Sequence, residues 1–339
     1  MTKKEKKVSR NYFKDKTILI TGGTGSFGKM FVDILQKTCP PKKLIVFSRD
    51  ELKQFEMRQQ FDQPNMRYFI GDIRDRERLH RAFHNVDIVV HAAALKQVPA
   101  CEYNPFEAVN TNILGAENII NVAIDNKVDQ VLALSTDKAA NPINLYGATK
   151  LCSDKLFIAG NAYSGDVRTR FSVVRYGNVI GSRGSVIPYF KKMKETGTIP
   201  ITDERMTRFW ITLEKGVEFV LDSIEMMKGG ELFIPKIPSM NIMDLKEAIA
   251  PECNHEIVGI RPGEKLHEVL LPNDEVRNAF ELDNMYVLEP SFNFWDDSHV
   301  PNKKRVADDF EYASNNNPQL LTVEELRELI DDVEKVVKA

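Results

Sequence analysis

Tyr146 and Lys150 stand four residues apart in Asn141-Pro142-Ile143-Asn144-Leu145-Tyr146-Gly147-Ala148-Thr149-Lys150. On a helix that spacing sets a phenol and an ammonium on one face, one turn apart. The cation favours the phenolate and makes the tyrosine a usable proton acceptor. Upstream, Ser135-Thr136-Asp137-Lys138 adds hydroxyls, a carboxyl and a second amine. Tyrosine, lysine and a hydroxyl such as Thr136 suffice to oxidise an alcohol; the extra acid and base allow a proton to leave carbon and water to be expelled. A local Asp137–Lys138 surface pair is the plainer alternative. The position of the two residues at the end of an apolar strand, Gln130 to Leu134, argues against it, because sites are built on loops at that end of a sheet.

A second constellation, Thr21-Gly22-Gly23-Thr24-Gly25-Ser26-Phe27-Gly28, lies between an apolar strand, Thr17 to Ile20, and a helix running to Thr38. Gly22, Gly25 and Gly28 suit a tight turn, a close approach of backbone to a pyrophosphate, and packing of helix on sheet, with the helix N-terminus facing the phosphates. At the end of the next strand the chain reads Phe47-Ser48-Arg49-Asp50-Glu51-Leu52-Lys53. Arg49, with Ser48 and Lys53 nearby, favours a 2′-phosphate and therefore NADP. A Ser48–Glu51 capping box with a merely solvated Arg49 is compatible with the same residues. Gly71-Asp72-Ile73 is placed for the adenine, and His91-Ala92-Ala93-Ala94-Leu95-Lys96 is a small-residue strand end against which a dinucleotide can lie.

These residues need a frame, and the first half of the chain supplies one. Strands at Lys43–Phe47, Met66–Ile70, Asp87–His91 and Phe171–Arg175 alternate with helices over Ser48–Phe61, Arg76–His84, Pro105–Asn126 and the segment carrying Tyr146. Continuous apolar strands separated by helices predict an α/β fold, a doubly wound parallel sheet of the Rossmann type. After about residue 180 the pattern breaks: a loop at Gly181–Ser185, a helix from Val186 to Thr196, then shorter elements. This predicts a dinucleotide-binding domain over residues 12–185, rejoined by elements around 212–236, and a smaller substrate-binding lobe over 186–339. The lobe closes with a helix from Thr322 to Lys338 whose Thr322 and Glu325 form a capping box.

Composition narrows the partners. The 339 residues are 42% apolar, enough for a large core, and carry a net charge of −3, which advertises neither nucleic acid nor an anionic membrane. Four dispersed cysteines make no CxxC pair and read as reduced thiols; six histidines show no metal-ligand spacing, so no metal is expected. The Lys-rich start, Met1 to Lys7, lacks the apolar run of a signal peptide and reads as a frayed terminus, and no apolar stretch of about 18 residues occurs. A cytoplasmic location follows.

The glycine turn, the run from Ser135 to Lys150, and Arg175-Tyr176-Gly177-Asn178-Val179 together resemble the extended short-chain dehydrogenase/reductases. Within them, the chain is similar to the inverting UDP-N-acetylglucosamine 4,6-dehydratases of the pseudaminic acid pathway, from about Lys16 to Lys265, including Arg205-Met206-Thr207-Arg208-Phe209-Trp210 and Arg261-Pro262-Gly263-Glu264-Lys265. Dehydratases acting on dTDP-glucose or GDP-mannose generally have Asp-Glu in place of Asp137-Lys138, and larger membrane-anchored relatives replace the tyrosine. The resemblance implies that Tyr146 takes the proton of the 4-hydroxyl, Lys138 removes the carbon 5 proton with its pKa depressed by burial and Lys150, and a protonated Asp137 serves the departing 6-hydroxyl. Thr136 and Lys150 complete the catalytic set. Cofactor contacts are expected from Gly22, Thr24, Gly25, Ser26, Phe27, Gly28, Ser48, Arg49, Asp50, Lys53, Asp72, Ile73, Ala93, Lys96, Thr111, Tyr146 and Lys150. Substrate contacts are expected from Lys96, Asn178, Val179, Thr202, Arg205, Arg261 and Glu264, the two arginines on the phosphates. The family also implies a homo-oligomer, a dimer or a dimer-based hexamer, built on the helices carrying Asn110–Ile124 and Tyr146–Ala159. Two rivals stand beside this: a UDP-sugar 4- or 5-epimerase on the same fold, and a non-catalytic NADP-binding regulator.

Overall fold

Apolar strands bury on both faces, and that requirement shapes the computed structural model, which describes residues 10–167, 169–180, 186–291 and 303–338. The Met1–Lys7 start and the Gly181–Ser185 loop lie outside the described residues. β1 (Thr17–Thr21) and β4 (Ile88–His91) are buried at every position, and β2 (Lys43–Ser48) and β6 (Arg170–Tyr176) at every position but the first; β3 (Met66–Ile70), at the edge, is half open, and β5 (Gln130–Thr136) lies between β4 and β6. Their order, β3-β2-β1-β4-β5-β6, is parallel throughout. The order reverses at β1/β4, the switch point where such sheets bind ligands.

The sheet continues past β6 with Leu232–Pro235, parallel, and then Met285–Leu288, Ala279–Glu281 and Lys304–Arg305, all antiparallel to their neighbours. The chain therefore returns to the sheet more often than the segment 212–236 alone suggested, because strands of two to four residues carry too short an alternation to read. A second apolar cluster, separate from the main core, gathers Phe190, Ile199, Trp210, Met240, Leu245 and Leu326 from the elements after residue 186. The last helix begins as expected: Thr322 N donates to Glu325 Oε2 at 2.9 Å and Glu325 N to Thr322 Oγ1 at 3.3 Å.

Helices α1 (Ser26–Thr38), α2 (Glu51–Gln60) and α3 (Arg76–Ala82) connect the first strands. The expected single helix over Pro105–Asn126 is not one helix. A short α4 (Val98–Tyr103) precedes α5 (Pro105–Val109), a π turn spans Asn110–Leu114, and α6 (Gly115–Asp125) follows. Asn112, inside the π turn, bonds both backbone groups of Leu95 and the hydroxyl of Thr149, an arrangement that a regular helix need not provide. α7 (Leu145–Tyr163) starts on Asn144, whose side chain accepts from Gly147 N at 2.8 Å.

Candidate active site

A cleft of roughly 960 Å³ opens along the carboxyl ends of the strands. At its floor β1 runs into Gly22, whose φ of +66° few side chains tolerate and whose missing Cβ would stand 2.9 Å from Ala93 Cα. The ends of β1 and β4 are tied by Thr21, whose Oγ1 lies 2.9 Å from His91 Nδ1 and accepts from Ala93 N at 3.2 Å. Burial, aided by the Lys150 charge, drives the His91 imidazole down to about 3, so it is neutral. Gly25 precedes α1 without any side-chain cap, so the first N–H groups of that helix have no side-chain acceptor. Thr24, Ser26 and Phe27 line the cleft, whereas Gly28 is buried in the first turn of α1.

Beyond the cradle the cleft is lined by Ser48, Arg49, Asp50 and Lys53, by Asp72 and Ile73, and by Ala93, Lys96 and Thr111. The cap of α2 is Asp50, not Ser48: Asp50 accepts from Lys53 N at 3.0 Å, while Ser48 Oγ is buried and takes a bond from Gln54 Nε2. Arg49 Nη1 is 3.5 Å from Asp72 Oδ2, which Arg74 holds at 2.7 Å. Burial raises the Asp72 pKa, but Arg74 and Arg49 outweigh it and hold the carboxyl below its usual value. The cradle, the spare N–H groups and a buried Thr111 Oγ1 with no partner fit a bound dinucleotide diphosphate.

The reactive end is formed by β5, α7 and β6. Thr136 caps the turn Asp137–Ala139 and donates to Asp137 Oδ1 at 2.8 Å. Lys138 Nζ lies 3.0 Å from Asp137 Oδ1, 3.3 Å from Glu268 Oε1 and 3.5 Å from Asn178 Oδ1. Gly147, in the first turn of α7, makes the geometry feasible: a Cβ there would meet the Lys138 carbonyl oxygen at 2.1 Å. Burial pulls the Lys138 ammonium down, yet Asp137 and Glu268 more than offset it, and the group is held above the ordinary lysine value. The expected depression by burial and Lys150 is thus overturned by two carboxylates.

Tyr146 is buried beside Cys101 and Ala108. Burial pushes its phenol up to about 12, against Lys138 and a hydrogen bond with Thr136, so the opposing cation is Lys138 rather than the expected Lys150. Lys150 is lowered by burial, with Asp154, one turn further along α7, pulling it back up. Asp154 accepts from Ser135 Oγ at 2.7 Å and lies 3.7 Å from Arg175 Nη2; Arg175 Nη1 donates to Glu275 Oε2 at 2.6 Å.

Asn178 and Val179 line the cleft with Lys96, but Thr202, Arg205, Arg261 and Glu264 do not. Thr202 Oγ1 lies against Met206 Sδ; Arg205 is exposed and satisfied by Asp203 at 2.8 Å; Arg261 is exposed; Glu264 accepts from Arg208 Nη2 at 3.1 Å. The acid two residues away captures Arg205 before a distant pocket can. Sequence reasoning missed Glu268 and Arg208, both buried, and Trp210, which lines the cleft. The one signal for Glu268 was an acid standing directly before the apolar run Val269-Leu270-Leu271.

A doubly wound sheet with a glycine cradle and a Tyr146–Lys150 helix at its carboxyl edge has the architecture of the short-chain dehydrogenase/reductases. Residues 18–290 match the family described as polysaccharide biosynthesis protein, and the chain belongs to it. It is 55% identical, over 95% of its length and 99% of the relative's, to an inverting UDP-N-acetylglucosamine 4,6-dehydratase of Campylobacter jejuni. It is 40% identical, over 96% of its length and 98% of the relative's, to a protein of Rickettsia felis named UDP-glucose 4-epimerase. Among solved structures, Pen from Bacillus thuringiensis matches with a TM-score of 0.87 at 42% identity, covering 95% of this chain and 99% of that one.

Proposed function

We propose that the chain is an NADP-dependent UDP-N-acetylglucosamine 4,6-dehydratase that inverts carbon 5, giving UDP-2-acetamido-2,6-dideoxy-β-L-arabino-hex-4-ulose, the first step toward pseudaminic acid or a related 6-deoxy amino sugar. The observation that carries this reading is the Asp137–Lys138 pair, 3.0 Å apart in the same cleft as Tyr146 and Lys150. NADP, when bound, supplies the oxidised ring that accepts hydride from carbon 4 and returns it to carbon 6. Gly22, Gly25 and Thr111 are proposed to hold its diphosphate side, and Arg49, Ser48 and Lys53 its 2′-phosphate. Tyr146 receives the 4-hydroxyl proton, helped by the charge of the Lys138 ammonium that faces it. The resulting ketone acidifies the carbon 5 hydrogen, Lys138 takes it as a neutral amine, and Asp137 protonates the departing 6-hydroxyl. Lys96, Asn178 and Val179 are assigned to the sugar and diphosphate. Arg205 and Arg261, with Thr202 and Glu264, are assigned to the nucleotide, which requires Arg205 to exchange Asp203 for phosphate.

Residues 12–185 and 186–339 are proposed to divide cofactor and substrate binding between them. Exposed Tyr103 and Phe106 on α4 and α5 support a homo-oligomer. Among the described residues no helix is long and apolar enough to cross a membrane, and a cytoplasmic enzyme is the proposal that goes with it.

Incubation with UDP-N-acetylglucosamine and NMR of the product tests the reading: a new carbon 6 methyl signal is expected. The Rickettsia relatives favour a second reading, since 4-epimerisation needs neither Asp137 nor Lys138. A carbon 4 epimer without a methyl signal selects it, and tight NADP binding without turnover leaves a regulator.

A further inference from the structure

Lys138 removes a proton from carbon only as a neutral amine, yet two carboxylates stand against its ammonium. Asp137 stands 3.0 Å from the same ammonium, but a proton it takes is spent on the departing 6-hydroxyl, so it cannot hold one through the cycle. Glu268 remains. Its side chain is 2% exposed, its Oε1 faces Lys138 Nζ at 3.3 Å, and its Oε2 is buried with no hydrogen-bond partner. Charged groups reach it from each surrounding element: Asp137 and Lys138 from the turn after β5, Arg208 from the strand Thr207–Ile211, and Lys265 from its own segment. Arg208 opposes protonation of Glu268, but it is 3.8 Å away and lies closer to Glu264, at 3.1 Å.

We propose that Glu268 is the proton store of this site, taking one proton from the Lys138 ammonium across 3.3 Å and leaving the neutral amine that attacks the carbon 5 hydrogen. The inference rests on the dehydratase reading and adds a third ionisable residue to it. One N–H bond of Lys138 breaks and one O–H bond forms at Glu268; an ion pair becomes a neutral pair, and nothing is oxidised or reduced. Removing water from the cleft favours this shift, since burial penalises the two charges more than the neutral groups. The same burial holds the Glu268 carboxyl above its usual range. Glu268 touches the substrate only through Lys138 and is a positioning residue in that sense.

The pair keeps one proton in both states, so proton abstraction in the wild type should be nearly independent of pH around neutrality. Without the Glu268 carboxylate, a proton that Asp137 takes from Lys138 is spent on the 6-hydroxyl, so keeping the amine neutral depends on proton loss to solvent. The experiment uses the full chain with NADP and UDP-N-acetylglucosamine in deuterated water, reading deuterium at carbon 5 and reduced cofactor. Glu268→Gln should still reduce the cofactor, exchange carbon 5 on the order of 100-fold more slowly at pH 7, and gain about tenfold in rate per pH unit. Glu268→Asp, which keeps a carboxylate, should retain a flat profile at a lower rate, and it carries the test alone where the glutamine variant does not fold. A glutamine variant with the wild-type rate, a faster rate or a flat profile overturns the proposal, as does a sloped profile for Glu268→Asp. Loss of cofactor reduction in both variants also overturns it, making Glu268 structural. A wild type that neither exchanges carbon 5 nor forms a 6-deoxy product overturns the dehydratase reading instead.

Discussion

Arg49 is half exposed and paired at 3.5 Å with an Asp72 that Arg74 already satisfies, so its guanidinium can exchange partners at small cost. If it meets a 2′-phosphate, Arg49→Ala should weaken NADP by about 1.5–3 kcal/mol, typical of a charge-assisted bond, and leave NAD almost unchanged. Dissociation constants for the two dinucleotides measure this, and equal losses would sink the assignment. Tyr146 poses a different test, because its pKa of about 12 in the cleft makes the phenol a poor base until positive charge gathers beside it. Tyr146→Phe should leave the cofactor oxidised in the presence of substrate. Lys138→Ala should instead build up absorbance of reduced cofactor without a deoxy product, more slowly than the wild type takes up hydride, since Tyr146 keeps its phenol but loses a facing cation; the same oxidised spectrum in both variants would refute the division of roles.

The elements matter here through contacts that a side chain would break. α7 begins against the Asp137–Ala139 turn because Gly147 has no Cβ; an added methyl would lie 2.1 Å from the Lys138 carbonyl oxygen, which is backbone and cannot swing away. Gly147→Ala should therefore cost about 1–3 kcal/mol in urea unfolding and misplace Tyr146 relative to Lys138, so that turnover falls more than NADP affinity does. Equal turnover would show that α7 can slide without consequence. Such contacts also explain what the sequence made legible. The glycine turn and the Tyr146–Lys150 face follow from spacing within ten residues, and the structure brings them to one cleft. The break in the Pro105–Asn126 helix was not legible, because Asn110 to Leu114 is compatible with an ordinary helix and the π turn depends on Asn112 reaching Leu95. Glu268 was hidden for the same reason: it is 130 residues from Lys138, and only the fold sets them 3.3 Å apart.

At the scale of the whole molecule, the cleft rests on a core whose central strands carry a titratable ring. His91 lies at the end of β4, 2% exposed, between Thr21 and the face of Phe157, and its imidazole stays neutral down to about pH 3. In the unfolded chain the same ring takes up a proton near pH 6.5. Between these values the unfolded state binds the extra proton, so stability rises with pH there. The contribution is fully present above about pH 6.5 and is lost at about 1.4 kcal/mol per unit as pH falls toward 3. His91→Gln keeps a polar partner for Thr21 but cannot titrate. Urea unfolding at pH 7 and pH 5 should show the wild type losing about 2 kcal/mol more than the glutamine variant over that interval. Parallel losses in the two proteins would mean that the ring is protonated in the folded state, and that the β1–β4 junction beneath the cofactor cradle tolerates a buried charge.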